Sequence, residues 1–232
     1  MELHLLPART ADAAGNMAVD FLLLQRYPHP QAAVRYRHYD WRRPAFTFGY
    51  AQKYAFIRTR LPQETSLDVT RRATGGGLVD HRDDWTYALV LPREHPLWDR
   101  PGPVIYRAVH EALAGALNAT GADVTLQRDE PETAPGVCFE RPEVGDVVRA
   151  RDGIKVAGAA LKRGKHGLLL QGSIWRPFAG PVDWAAFEEK LPATFARALD
   201  ITLTEPGWPN FDPDEEQALV DQYASSEWIE AR

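Results

Sequence analysis

The chain contains a single cysteine, Cys138, among its 232 residues. One cysteine cannot form an internal disulfide, and it cannot build the multi-cysteine sites that hold structural zinc. No apolar run approaches the roughly 20 residues that a membrane-spanning helix needs. Residues 1–7 lack the basic segment that opens a signal peptide, so we expect none. These absences predict a cytoplasmic protein that contacts no membrane and binds no metal.

The chain also lacks an excess of basic residues, with 27 Lys and Arg against 32 Asp and Glu and a net charge of −5. Surfaces that bind nucleic acid are usually strongly basic, so this balance disfavours nucleic acid as a partner. The length suffices for one large domain with a full core. Because no internal repeat or low-complexity segment divides the chain, we expect a single domain over residues 1–232.

Hydrophobic periodicity predicts both helices and strands. Apolar residues recur at helical spacing over residues 15–25, 104–120, 184–191 and 214–224. Alternating or short apolar runs predict strands over residues 33–39, 45–50, 67–72, 85–91, 124–126, 146–150, 154–158 and 168–174. Runs of strands with helices between them predict an α+β fold with a mixed, mainly antiparallel sheet packed with helices.

Three consecutive glycines, Gly75, Gly76 and Gly77, follow Arg71-Arg72-Ala73-Thr74. A triple glycine costs backbone entropy, and it usually persists where a backbone turns sharply or approaches something closely. Without Cβ atoms, the N–H groups can form a concave nest for an anion, and neighbouring arginines can add bidentate donors. A glycine-rich hairpin loop with solvated arginines is the alternative interpretation.

Five segments carry a resemblance that no one of them would carry alone. They are residues 15–20 (Gly-Asn-Met-Ala-Val-Asp), one block formed by residues 36–44 and 48–52 together, residues 71–81, residues 153–160 (Gly-Ile-Lys-Val-Ala-Gly-Ala-Ala) and residues 223–228. In this order they resemble the superfamily of biotin–protein ligases, lipoate–protein ligases and octanoyltransferases. The resemblance covers nearly the whole chain, and it implies the catalytic-domain fold of that superfamily.

The resemblance also implies a site. The family attaches medium-chain acyl or lipoyl groups to a lysine of a carrier domain, which requires an apolar tunnel and donors at the developing oxyanion. By this resemblance Lys155 is catalytic and lies at the acyl carbonyl. The acyl- and substrate-binding residues would be Arg72, Thr74, Gly75, Gly76, Gly77, His81, Gly158, Ala159 and Gln171. We also expect basic residues to cluster at the tunnel mouth, with Arg71, Arg72, Arg163 and Lys165 as candidates.

Cys138 decides between two chemistries of the superfamily. Residues 137–142 read Val-Cys-Phe-Glu-Arg-Pro, similar to the Cys-Phe-x-x-Pro context of a cysteine-dependent octanoyltransferase branch. In that branch a thiolate holds the acyl group as a thioester. The resemblance implies transfer of an octanoyl or lipoyl group from acyl-carrier protein to a lipoyl-domain protein, such as a glycine cleavage H protein or a dehydrogenase E2. A small buried hydrophobe is the ordinary interpretation of a free cysteine.

Two alternatives stay open. An ATP-dependent lipoate–protein ligase would use ATP and Mg²⁺ and need no cysteine, whereas the transferase needs no cofactor. The short sequence after Trp228, with no accessory domain, favours the transferase. A non-catalytic paralogue that binds acylated carriers is the second alternative. Ala159-Ala160-Leu161 and Gln171 depart from the polar residues usual in the transferase branch, which leaves donor, acceptor and acyl chain open. We expect a monomer.

Overall fold

The computed structural model describes residues 1–25, 32–63, 66–129 and 142–231. Its helices are α1 (Ala13–Gln25), α2 (Tyr54–Arg58), α3 (Gly102–Asn118), α4 (Arg176–Ala179), α5 (Trp184–Ala198), α6 (Pro213–Ala224) and α7 (Ser226–Ile229). Its strands are β1 (Glu2–Leu5), β2 (Arg9–Ala11), β3 (Val34–Trp41), β4 (Ala45–Phe48), β5 (Asp68–Arg71), β6 (Leu78–Asp80), β7 (Asp84–Pro92), β8 (Val124–Leu126), β9 (Val147–Arg149), β10 (Lys155–Gly164), β11 (Gly167–Trp175) and β12 (Thr202–Thr204).

A nine-stranded sheet lies at the centre of the fold, in the order β12-β1-β3-β7-β11-β10-β9-β8, with β2 also paired to β3. The run from β3 through β7, β11 and β10 to β9 and β8 is antiparallel. Parallel pairs occur where β1 meets β12 and β3, and where β2 meets β3. The predicted α+β class with a mixed, mainly antiparallel sheet is confirmed.

Helices cover both faces of this sheet. Strand β7 is buried along its whole length, and its side chains alternate between the faces. Leu89 and Leu91 belong to the core that includes side chains of α3 and α5, whereas Ala88 and Val90 belong to the core beneath α1. The continuous apolar run of this strand therefore reflects burial on two sides.

A second, three-stranded sheet carries the glycine residues. Strand β4 lies between β5, which is parallel to it, and β6, which is antiparallel to it. The glycine loop, residues 72–77, therefore crosses the end of β4 to connect β5 with β6. The hairpin interpretation is wrong because β5 and β6 do not pair with each other. An ideal Cβ at Gly49 would lie 2.0 Å from the Gly76 oxygen, so this close crossing requires glycine.

Within the described ranges, no helix combines the length and the apolar character needed to cross a bilayer. The same ranges hold no group of three or more His, Cys, Asp or Glu side chains arranged to bind a metal ion.

Candidate active site

A cavity of about 270 Å³ lies between the glycine loop, α1 and the strands β10 and β11. Its floor consists of four buried side chains, Met17, Tyr39, Thr86 and Gln171. Its mouth is marked by its exposed lining residues, Ala51, Gly76 and Glu143. Eight of the predicted site residues line the cavity: Arg72, Gly76, Gly77, His81, Lys155, Gly158, Ala159 and Gln171.

The glycine loop is held by the guanidinium of Arg72. Its Nη2 donates to the carbonyl oxygens of Gly75 (2.8 Å) and Gly77 (3.0 Å). Gly76 has φ of +85°, a left-handed conformation that favours glycine. Among the described residues, none accepts a hydrogen bond from the backbone N–H groups of Gly75, Gly76 or Gly77. This arrangement has the donor pattern of an anion-binding nest.

Arg72 also connects the loop to a second polar group. Its Nη1 donates to Thr47 Oγ1 at 2.8 Å. Burial lowers the pKa of Arg72 to about 10, so the side chain keeps its charge near neutral pH. A buried guanidinium needs acceptors for its N–H groups, and Thr47 and two glycine carbonyls supply them.

His81 lies beyond Thr47 with both ring nitrogens engaged. Its Nδ1 is 2.7 Å from Asp84 Oδ2, and its Nε2 is 2.7 Å from Thr47 Oγ1. The Asp84 carboxylate accepts, so Nδ1 carries a proton, and Nε2 shares a hydrogen bond with the Thr47 hydroxyl. The indole of Trp41 stacks on the imidazole with ring centroids 4.1 Å apart. His81 is therefore a fixed wall of the cavity.

A buried carboxylate, that of Asp20, holds two of the floor side chains in place. Asp20 accepts from Arg37 Nε (2.7 Å), Tyr39 Oη (3.1 Å) and Gln171 Nε2 (2.7 Å). Burial and the adjacent Asp20 raise the pKa of Tyr39, so its hydroxyl remains a donor. Because Asp20 fixes the Gln171 amide, its Oε1 accepts from Thr74 Oγ1 at 2.7 Å. Thr74 thus connects the glycine loop to the floor.

Lys155 and Asp146 form the charged pair of the cavity. Lys155 Nζ is 2.7 Å from Asp146 Oδ2, and both side chains are largely buried. An ideal Cβ at Gly158 would lie 2.8 Å from Lys155 Cε and 2.9 Å from Asp146 Oδ1. A glycine at this position therefore gives the lysine the space to reach the carboxylate.

The structure corrects the predicted basic cluster at the mouth. Arg71 and Arg72 are both buried. Arg71 donates to four backbone carbonyls, those of Tyr50, Gln52, Trp228 and Ile229. Arg163 donates to the Arg100 carbonyl, and Lys165 lies in the turn between β10 and β11; neither lines the cavity.

The sequence did not single out several polar residues that the fold brings to the site, namely Asp20, Thr47, Asp146 and Ser173. Ser173 donates to Asp84 Oδ2 at 2.6 Å. A signal existed for Asp146, a lone acid immediately before an apolar strand, but nothing local in the sequence relates Asp20 to Gln171. Cys138 lies outside the described residues.

Comparisons with known proteins identify the family of the chain. Residues 12–179 match the model of the lipoyl protein ligase A/B catalytic domain. The chain is similar to octanoyltransferase LipM of Clostridioides difficile, with 30% identity over 84% of this chain and 73% of that protein. It is also similar to octanoyltransferase LipM of Brevibacillus brevis, with 31% identity over 93% of this chain and 94% of that protein. The match covers 60% of a Bacillus cereus relative of the same name.

Solved structures share the fold. A bi-partite lipoate protein ligase from Thermoplasma acidophilum superposes with a TM-score of 0.71 at 19% identity, over 99% of this chain and 96% of that one. The family model spans residues 12–179 of the 232, and the two LipM proteins share 30% and 31% identity with the chain. The protein belongs to the lipoyl protein ligase A/B catalytic domain family.

Proposed function

We propose that the protein is an octanoyltransferase of protein lipoylation, which moves an octanoyl group from acyl-carrier protein through Cys138 to a lysine of a lipoyl-domain protein. The observation that carries the proposal is the cavity itself. It joins the glycine loop, whose Gly75, Gly76 and Gly77 N–H groups have no acceptor among the described residues, to the largely buried side chain of Lys155. The names of the relatives support the same activity.

The proposed reaction has two acyl-transfer steps. In the first, the Cys138 thiolate attacks the thioester carbonyl of the carrier, and the carrier thiolate leaves. In the second, the uncharged amine of the acceptor lysine attacks the new thioester. The amine loses one proton, an amide forms, and the Cys138 thiolate is released.

Both steps pass through a tetrahedral oxyanion, which needs donors placed in advance. Lys155 provides a cation at one side of the cavity, and its pairing with Asp146 at 2.7 Å restricts where Nζ can lie. A nearby ammonium also favours the thiolate form of a cysteine. We assign the oxyanion contact to Lys155 and the positioning of its ammonium to Asp146.

The donor thioester is already activated, so this route needs neither ATP nor a metal. The lipoate–protein ligase alternative differs at this point, because it must form an acyl-adenylate from ATP and a free acid. The acceptor in either case is a lipoyl-domain protein, such as a glycine cleavage H protein or a dehydrogenase E2.

Intact-protein mass spectrometry after incubation with octanoyl-acyl-carrier protein, without ATP, tests the proposal. We expect a mass gain of one octanoyl group that hydroxylamine removes. The matched control is Cys138→Ala, which should gain no mass. A second control, Lys155→Ala, should form the adduct far more slowly.

Three results would each overturn the proposal. An adduct on Cys138→Ala would exclude this cysteine as the acyl carrier. Acylation of a lipoyl domain only when ATP and free octanoate or lipoate are supplied would establish the ligase. Tight binding of the acylated carrier without transfer would establish a non-catalytic paralogue.

A further inference from the structure

A basic surface borders the mouth of the cavity. The rim segment, residues 50–60, contributes Lys53, Arg58 and Arg60, and all three are exposed. No Asp or Glu occurs between residues 50 and 63. The next acid in the chain, Glu64, lies outside the described residues. This local charge contrasts with the net charge of −5 of the whole chain.

The rim segment is anchored to the protein from beneath. Arg71 Nη1 donates to the carbonyl oxygens of Tyr50 and Gln52, each at 2.7 Å. Ile57 is the buried residue of α2, and the ring of Tyr54 stacks on Phe48 at 5.9 Å. Because these contacts fix the backbone, the cationic side chains hold a defined place beside the mouth.

Two aromatic side chains lie among the cations. Tyr50 and Phe56 are exposed by 38% and 48%. The guanidinium of Arg60 lies over the Phe56 ring at 4.5 Å, and Lys162 Nζ lies over the Tyr50 ring at 5.6 Å. Exposed aromatic and arginine side chains are enriched in the surfaces that proteins use to bind one another.

The rim segment also reaches the cavity. Ala51 and Gln52 line it, immediately before Lys53 in the chain. Acidic side chains lie elsewhere: Glu143 lines the cavity, and the exposed Glu227 and Glu230 flank Trp228 and Ile229, so basic character is limited to the rim-segment side. A partner bound on that side would have its acyl arm within reach of the cavity.

We propose that the rim segment is the docking surface for the acidic carrier protein that delivers the acyl group. The inference rests on the proposed function, since that function requires a carrier-borne thioester. Opposite charges attract over about 8 Å at physiological ionic strength, which accelerates encounter and orients the partner. The aromatic side chains then supply short-range contact.

Charge reversal tests the docking surface. The variant Lys53→Glu/Arg58→Glu changes two exposed residues that do not line the cavity. The matched control, Lys190→Glu/Arg197→Glu, makes the same changes on exposed positions of α5. For each protein, kcat/KM is measured with octanoyl-acyl-carrier protein and with octanoyl-N-acetylcysteamine, a thioester that lacks the carrier.

We expect the rim variant to lose about tenfold in kcat/KM with the carrier at low salt, mainly through KM, and about twofold or less with the small thioester. The control variant should retain both activities. Added salt should shrink the difference between wild type and rim variant, because screening removes the attraction.

Equal losses in the rim and control variants, or no loss in the rim variant, would overturn the docking proposal. The affinity for unacylated acyl-carrier protein, measured by titration calorimetry, separates this failure from a failure of the proposed function. Suppose that the enzyme is inactive with both thioesters, but that the rim variant still binds the carrier about tenfold more weakly than the control variant does. That result would support the docking surface and overturn the proposed reaction.

Discussion

Arg71 and Arg72 are adjacent, identical in type and both buried, yet they serve two different regions of the molecule. Arg71 holds the rim segment and α7 together through backbone carbonyls. Arg72 faces the cavity and donates to Thr47 and to the glycine loop. Successive side chains of an extended backbone point to opposite sides, so a pair of arginines can divide in this way. Arg71 therefore maintains the framework, meaning the packing of the rim segment and α7 around it, whereas Arg72 shapes the site.

The largest expected effect on activity comes from removing the Arg72 side chain, which faces the cavity. Arg72→Ala removes the donor that orients the Gly75 and Gly77 carbonyls, so kcat/KM for octanoyl transfer should fall by about 300-fold. Arg72→Lys keeps the charge but loses the forked geometry, and it should recover only part of the activity. A variant that melts early but transfers normally when folded would assign Arg72 to the framework instead.

The framework side should respond in stability. Arg71→Ala leaves four backbone carbonyls without their donor, so the free energy of unfolding should fall by about 3 kcal/mol. The melting temperature should fall by roughly 10 °C. Denaturant unfolding measures the change in free energy, and activity per folded molecule with octanoyl-N-acetylcysteamine, which needs no docking surface, should stay within about threefold of wild type. A large loss of activity in fully folded protein would erase the distinction between the two arginines.

Two neighbouring glycines sharpen the comparison further. Gly76→Ala places a methyl group at φ +85°, and its Cβ would lie 3.2 Å from Arg72 Nη2. The left-handed conformation costs an L residue about 1–2 kcal/mol, and displacement of Arg72 should lower octanoyl transfer about tenfold. Gly75→Ala is the control, because no heavy atom lies within 4 Å of its ideal Cβ. Equal effects of the two substitutions would argue against a specific contact with Arg72.

The smallest effect on stability is expected at Trp228 of α7, which is hydrogen-bonded to Arg71. Trp228 Nε1 donates to the Arg71 carbonyl at 2.8 Å. Trp228→Phe removes that donor and retains an aromatic ring, so stability should fall by about 1 kcal/mol. Octanoyl transfer should not change. Activity that fell while stability was retained would connect α7 to the reaction rather than to the framework.

Long elements with strong periodicity could be predicted from the sequence. The helices α1, α3 and α6 and the strands β7 and β11 lie within two residues of their predicted bounds. Helix α5 was predicted to end at residue 191, before Pro192, but it continues to Ala198 with the proline inside it. Packing of Phe195 and Ala196 into the core outweighs the cost of the proline. The parallel strands β1, β2 and β12 were missed because strands of three or four residues are too short to show a hydrophobic alternation.

The site was predictable to the extent that local sequence determines it. The glycine loop and the lysine strand were found through motifs, and both reach the cavity. Their partners were not, because Thr74 and Gln171 are 97 residues apart and only the fold brings them together. Burial of Arg71 and Arg72 was missed for a similar reason, since the acceptors of Arg71 lie in distant segments. The single domain and the role of Cys138 remain predictions.

The contact between Thr74 and Gln171 has a consequence for how the cavity responds to its surroundings. An amide keeps the same hydrogens between about pH 5 and 8, the range in which an imidazole gains or loses one. The hydrogen bond between the glycine loop and the floor therefore contains no titratable group at Gln171. Acidification within that range leaves both partners of this hydrogen bond, a hydroxyl and an amide, with their hydrogens unchanged.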